Sequence, residues 1–297
     1  MKYISCLAII LLLYCTPTFS HADSERNYSV ADVVMKDSVF VDKASGVPLT
    51  GTVEEYFPSG TVRTRTQYRD GKRNGIEKQY AESGELHSEM TFSENTMEGI
   101  FRAYDASGKI SVETMYKNGH RNGISRGYYP SGAVRQETVY VGKGVTKELR
   151  SYYETGELKN VIPLADGKEN GLFKTFYRSG KIWQETPYRN GVKYGIATEY
   201  YESGKLKEQV FYEDGQEPIL AKIFYETGEL DREYLFNAAS QLHGTAKIYY
   251  QSGTLRIEEP YKNGKKDGVE RWYSESGEVF HEFYYKNGEE IQPVPGQ

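Results

Sequence analysis

The fold class that this sequence predicts is all-β: an elongated antiparallel meander or solenoid of about ten 24-residue β-hairpin repeats. Three observations carry that expectation. First, a Ser/Thr-Gly pair recurs with its glycines at Gly60, Gly84, Gly108, Gly132, Gly156, Gly180, Gly204, Gly228, Gly253 and Gly277, spaced 24 residues apart except for one interval of 25. Second, with each of those glycines counted as position 0, an aromatic residue stands at −4 in every copy (Tyr56 through Tyr200 to Tyr273), and an aliphatic residue at +2 (Val62 through Leu206 to Val279). Third, only 38% of residues are hydrophobic and 27% are charged, yet there are 27 tyrosines, which suits a thin body better than a thick core. Alternation around a turn is strand chemistry. Self-similarity at a period of this length marks units that must stack to cover their apolar faces.

Taken in order, residues 1–22 read as a secretory signal peptide: Met1 and Lys2, an apolar run from Leu7 to Leu13, Pro17, and small residues at Ser20 and Ala22 before the cut. The run is too short to span a bilayer, and Tyr14 before Cys15 does not fit a lipid-modified cysteine. Export to the periplasm or medium is the expectation. Cys6 and Cys15 both fall inside that segment, so the mature chain offers neither a disulfide framework nor a zinc–thiolate site. The formal net charge of −5 excludes strong non-specific nucleic-acid binding. Residues 23–46 form an N-terminal segment, where Val33-Val34-Met35 and Val39-Phe40-Val41 suggest a hairpin that caps the exposed end of the array. The repeat array is placed at 47–290 and a tail at 291–297, whose Pro293 and Pro295 cannot continue a ladder.

The stretch Gly195–Gly215 is a clean copy. Glu202-Ser203-Gly204 predicts a three-residue hairpin loop with glycine in the left-handed position. That turn sets Tyr201 against Lys205 and Tyr200 against Leu206, a cross-strand pair worth about 0.2–1 kcal/mol. The aliphatic at −8, the aliphatic at +2 and the aromatic at +8 all have even offsets and are expected on the face of the −4 aromatics. The second connection, as in Tyr116–Gly123, reads as longer and takes its positive-φ residues from Asn-Gly. At about 4.8 Å per strand, ten copies would span about 95 Å. Departures are Lys147 and Ile219 in place of a leading glycine, Asn160–Leu164 in place of Glu and an aromatic, and the insertion within Asn237–Gly244.

Three sets of side chains recur in ways that could carry function. The Ser/Thr before each turn glycine occurs in every copy, which is turn chemistry and not a nucleophile. His87, His120, His243 and His281 sit at different repeat positions without ligand spacing, so no metal, cofactor or catalytic set is expected. Position −6 is basic in eight copies. Its members Arg102, Arg126, Arg150 and Lys174 are the candidate anion- or lipid-binding residues, on the face of the −4 aromatics, with Glu at +5 expected on the opposite face. Position −3 is tyrosine in six successive copies, and Tyr129, Tyr153, Tyr177, Tyr201, Tyr225 and Tyr250 are the candidate partner-binding residues.

Gly195, Tyr200, Ser203, Gly204, Leu206, Tyr212 and Gly215, recurring in register over about 47–290, resemble the MORN-variant repeat as found in the bacterial YwqK-family antitoxin group. The resemblance implies an all-β repeat rod that makes protein or membrane-surface contacts and performs no catalysis. The function expected is therefore that of a non-catalytic exported protein binding an unidentified protein partner, in the manner of an immunity or antitoxin factor. The alternative is an envelope structural protein at an anionic membrane surface. No nucleic acid, cofactor or small-molecule substrate is expected.

Overall fold

The computed structural model of the chain describes residues 26–213 and 217–292. The segment 1–22 expected to be a signal peptide, both cysteines, Gly215, Pro293 and Pro295 lie outside the described residues. A sheet of 26 strands, antiparallel apart from the parallel pairing of Asn27–Ser29, takes in the whole array, beside a separate two-stranded hairpin. Strand follows strand in chain order from Gly51–Tyr56 to Glu289–Ile291, each pairing with the next except where a two-residue strand such as Thr96–Met97 and the strand after it both pair with the one before. This is the elongated all-β meander expected, with no closed barrel and, among the described residues, no α-helix.

Each copy folds as its turn chemistry dictates. In the clean copy, strands Gly195–Tyr200 and Leu206–Tyr212 place Tyr200 opposite Leu206. The Tyr201 N–H donates to the Lys205 carbonyl and the Gly204 N–H to the Tyr201 carbonyl, both at 2.8 Å. Gly204 has φ +91°, which only glycine adopts without strain.

Just past that turn the ladder slips. Glu199 pairs with Glu208, leaving Lys207 as an extra residue in the second strand. The same slip follows the turn in all ten hairpins. A β-bulge inverts the side to which every later residue of its strand points, and this corrects two expectations. The +8 aromatics lie on the face opposite the −4 aromatics, as Tyr212 opposite Gly195 shows. Glu at +5 shares the face of the −6 cations, since Arg102 pairs directly with Glu113 and with Glu89.

The two faces then differ in kind. One, called the ionic face below, carries the −4 aromatics, the −6/+5 charges and the −8/+7 residues. The other holds most of the buried positions, at −7 and +6: Thr66, Thr114, Thr186, Val53, Ala197, Ala221 and Ala246 are each under 9% exposed. These side chains are small, and among the described residues Leu49 alone is a large side chain wholly removed from water. Cross-strand pairs and ladder bonds hold the sheet, not a deep core.

The second connection is tighter than expected. Asn118 (φ 51°) and Gly119 (φ 76°) are successive left-handed residues, and Lys117 pairs with His120, a two-residue type I′ turn. Its glycine N–H reaches across to the Met97 carbonyl at 2.9 Å, and Gly191 and Gly264 repeat this with Glu169 and Leu242 at 2.8 Å. The 25-residue interval is absorbed here too. Phe236 and Leu242 form an isolated bridge, Asn237 N–H donates to the Gln241 carbonyl at 2.9 Å, and Ser240 (φ 56°) takes the left-handed position.

The leading glycines answer to close approach. A Cβ on Gly268, at φ +129°, would stand 2.9 Å from Cγ of Pro260 on the neighbouring strand. Gly268→Ala is expected to destabilise the last copies by about 2 kcal/mol, read as a lower urea midpoint; an unchanged midpoint would show that the backbone relaxes there without strain. Lys147 and Ile219 are absent from the positive-φ residues, so those two copies lack that backbone conformation.

At the N-terminal end, Val33–Lys36 and Val39–Asp42 pair as a hairpin. It docks through the Phe40 N–H to the Gly71 carbonyl (2.8 Å) and through Phe40 edge-on to Tyr68, ring centroids 5.2 Å apart. Asn27–Ser29 runs parallel to the first array strand and covers part of its outer edge.

Candidate interaction surface

The six tyrosines at −3 stand where the first strand of each hairpin ends, half-buried and opposite the ionic face. Their hydroxyls act within the molecule. Tyr129 donates to the Tyr152 carbonyl (2.9 Å), Tyr153 to Phe176 (2.9 Å), Tyr177 to Tyr200 (2.7 Å), Tyr201 to Phe224 (2.8 Å), Tyr225 to Tyr249 (2.8 Å) and Tyr250 to Tyr273 (2.8 Å). Each staples its copy to the next. The bulged residue of the same hairpin covers the ring in several copies: Lys159 over Tyr153 at 5.6 Å, Lys207 over Tyr201 at 6.0 Å and Arg256 over Tyr250 at 5.4 Å. The row is thus a half-buried internal fastening. The earlier copies carry Phe57, Ala81 and Asp105 at this position. Asp105 instead closes its own turn, its Oδ1 accepting the N–H groups of Ser107 (2.8 Å) and Lys109 (3.0 Å).

The four candidate cations lie in one row of the ionic face, and each has a carboxylate partner. Arg102 contacts Glu113 at 2.9 Å and Glu89 at 3.2 Å; Arg126 contacts Glu137 at 2.9 Å; Arg150 contacts Glu148 at 2.6 Å and Glu137 at 3.6 Å; Lys174 contacts Glu185 at 2.8 Å. The register extends this as a continuous cross-strand row from Glu54 and Arg65 to Arg271 and Glu282. Val161, Thr198 and Gln209 interrupt the charges. The row carries matched charge, not a net positive track. Tyrosines at −4 complete it: Tyr104 donates to Glu89 (2.9 Å), Tyr152 to Glu137 (2.8 Å) and Tyr273 to Glu258 (2.8 Å).

Two carboxylates show what this arrangement does to charge. Burial pushes Glu137 upward, but hydrogen bonds from Tyr152 and Arg126 and the Arg126 and Arg150 charges outweigh it and hold its carboxyl below the usual range. Glu208 is raised by burial and by Glu199, its direct cross-strand partner.

Beside the ionic row runs an apolar row at −8 and +7 that the sequence reading assigned only to packing. Ile76 is 42% exposed, Met115 47%, Leu172 37%, Ile196 43% and Leu235 39%. A groove of about 240 Å³ opens between the two rows, lined by Ile76, Ile100 and Thr91 on one side and Glu89 and Arg102 on the other. The even spacing of −8, −6 and −4 made this adjacency readable, but the +7 members were hidden by the bulge. Among the described residues no His/Cys/Asp/Glu group could hold a metal ion, and the four histidines stay scattered.

The MORN repeat variant family matches residues 49–70, 73–94, 97–118, 121–141, 169–190, 193–214, 242–263 and 266–287. The unmatched stretches contain Lys147 and Ile219, the two positions without a leading glycine. No curated protein matches the chain. Solved structures similar to it include S. aureus TarM, 13% identical over 36% of this chain and 21% of that one, with a TM-score of 0.25. The Photorhabdus luminescens Tc holotoxin pore is 13% identical over 78% of this chain and 15% of that one, with a TM-score of 0.16. TcdB2-TccC3 is 12% identical over 80% and 17%, with a TM-score of 0.16. The chain thus spans about a fifth or less of each of those chains, and at such TM-scores the likenesses carry no argument.

Proposed function

The chain belongs to the MORN repeat variant family, and from that premise we propose that it is a non-catalytic exported scaffold that holds a protein partner along its ionic face. The observation that carries this reading is the exposed apolar row lying beside a row of matched charges. Interfaces combine an apolar centre with a polar rim, and a fixed charge pattern selects partner and register more than it adds affinity. The tyrosine hydroxyls and the cations are engaged internally, so the −8/+7 row is where new burial is available. An immunity or antitoxin role is the finer form of the proposal: a scaffold of this kind neutralises a toxin by covering it. Envelope attachment through anionic lipid gains less support, because the cations of the −6 row face carboxylates.

The proposal is tested by replacing Ile76, Leu172 and Ile196 with serine. Crosslinked capture of the partner from an envelope extract is expected to fall at least tenfold, with the β circular-dichroism signal retained. Retention of capture by a folded triple variant would overturn the choice of face. Export is tested separately, by cell fractionation with and without residues 1–22.

A further inference from the structure

The last copy ends on an open edge. Val279–Lys286 pairs on one side with Gly268–Tyr273, and on its outer side only Tyr284, Tyr285 and Lys286 pair, with Glu289–Ile291. Among the described residues no strand pairs with the outer side of Val279–Phe283. In interior copies the corresponding segment is covered by the following copy, as Ser88 and Glu89 are by Ala103 and Arg102.

We propose that this edge captures an extended peptide segment of a partner by strand addition, and that the segment carries Lys or Arg, then one residue, then Tyr. The array itself supplies the template. Two interior glutamates of the ionic row, Glu89 and Glu137, meet both the next copy's basic residue and the tyrosine two positions later. Glu89 accepts from Arg102 at 3.2 Å and Tyr104 at 2.9 Å, and Glu137 has Arg150 at 3.6 Å and Tyr152 at 2.8 Å. Glu282 occupies the same position, and among the described residues no further copy covers it. Among the described residues it holds only its own hairpin's Arg271 (2.9 Å) and Tyr284 (3.0 Å), and its side chain is 37% exposed against 11% for Glu137.

A second observation marks the same end on the opposite face. Several earlier copies put polar pairs next to the turn there, such as Gln79 with Ser88 and Ser151 with Asn160, and two put aliphatic ones, Ala103 with Val112 and Ile248 with Ile257. The last copy has an aromatic cluster instead: Trp272 lies 5.7 Å from Phe283 and 6.5 Å from Phe280, and His281 lies 4.3 Å from Phe283. Phe280 is 60% exposed, and Val279, paired with Tyr273 on the ionic face, is 47% exposed. Main-chain pairing supplies affinity in strand addition and alternate side chains supply selectivity. Here Glu282 reads one face of the incoming strand and the aromatic cluster packs on the other. An unprotected apolar edge is otherwise a liability that proteins blunt.

The inference deepens the binding-scaffold reading but does not depend on the apolar row, so either can fail alone. The test uses the mature chain, residues 23–297, and a blocked synthetic peptide with the sequence of residues 99–104, GIFRAY. Fluorescence anisotropy is expected to show saturable binding. Replacing the peptide's arginine with glutamate, or Glu282→Lys in the chain, weakens it at least tenfold, and combining the two reversals restores it. The rescue separates lost recognition from lost folding. Absence of saturable binding, or equal binding of both peptides, overturns the proposal. Self-association abolished by Glu282→Lys would assign the edge to a second copy instead, and binding only after removal of residues 293–297 would assign it to the chain's own tail. Either result also overturns it.

Discussion

Replacing Tyr153, Tyr177 and Tyr201 together with phenylalanine is expected to cost the middle of the array about 3 kcal/mol, at about 1 kcal/mol for each hydrogen bond lost. Phenylalanine keeps each ring and its packing against Lys159, Arg178 and Lys207. What disappears is the hydroxyl, and with it the donor to the carbonyls of Phe176, Tyr200 and Phe224. Those carbonyls lie at the ends of the first strands of the copies that follow. In a repeat protein each unit touches only its neighbours, so the loss stays local. Amide exchange should accelerate in the three hairpins that follow the substituted turns, while the first copies, which carry Phe57, Ala81 and Asp105 instead, keep their protection. A triple variant with unaltered exchange would show that water replaces the hydroxyls at no cost.

Glu137→Gln is expected to destabilise the neighbouring copies by about 2 kcal/mol at neutral pH, the scale of a hydrogen bond to a charged group. The residue is 8% exposed, and the three groups around its side chain, Arg126, Tyr152 and Arg150, are then left facing an amide. The pH dependence follows from the direction of the shift. Hydrogen bonds and guanidinium charge, working against burial, hold the folded carboxyl below its ordinary value of 4.5. The folded state therefore binds the proton less readily than the unfolded chain. Its stabilisation is complete above the unfolded carboxylate range and is lost as pH falls through the folded value. The gap between wild type and variant in urea midpoint should accordingly narrow from pH 6 toward pH 3. A gap independent of pH would mean that shape, not charge, holds Glu137 in place.

The repeat, its turn and the Tyr200–Leu206 pair were legible from spacing alone, because a Ser-Gly turn leaves few choices for the residues beside it. The second strand was not, and one residue is the reason. Lys207 and its counterparts enter the ladder without a partner, so parity counted from the turn assigns +5 and +8 to the wrong faces. A chemical signal pointing the other way was present. Glu recurs at +5 in register with Lys or Arg at −6, and a sheet that placed them apart would leave both rows unmatched. The tyrosines at −3 were placed on the correct face, but their hydroxyl partners lie 23 or 24 residues further on, beyond any single hairpin. The open edge at Val279–Phe283 becomes visible only once the register shows how interior copies are covered.

The tyrosine staples also give the array a direction. All six hydroxyls point toward the C-terminus, each to a carbonyl of the copy that comes next. Trimming from the two ends is therefore not equivalent. Loss of a copy at its C-terminal side frees a phenol, ring included, whereas loss at the N-terminal side frees only a carbonyl; water satisfies either polar group, so the difference lies in the aromatic ring left with one neighbour fewer. During synthesis from the N-terminus the order is favourable, since every emerging hairpin meets a donor already held in place by the one before it.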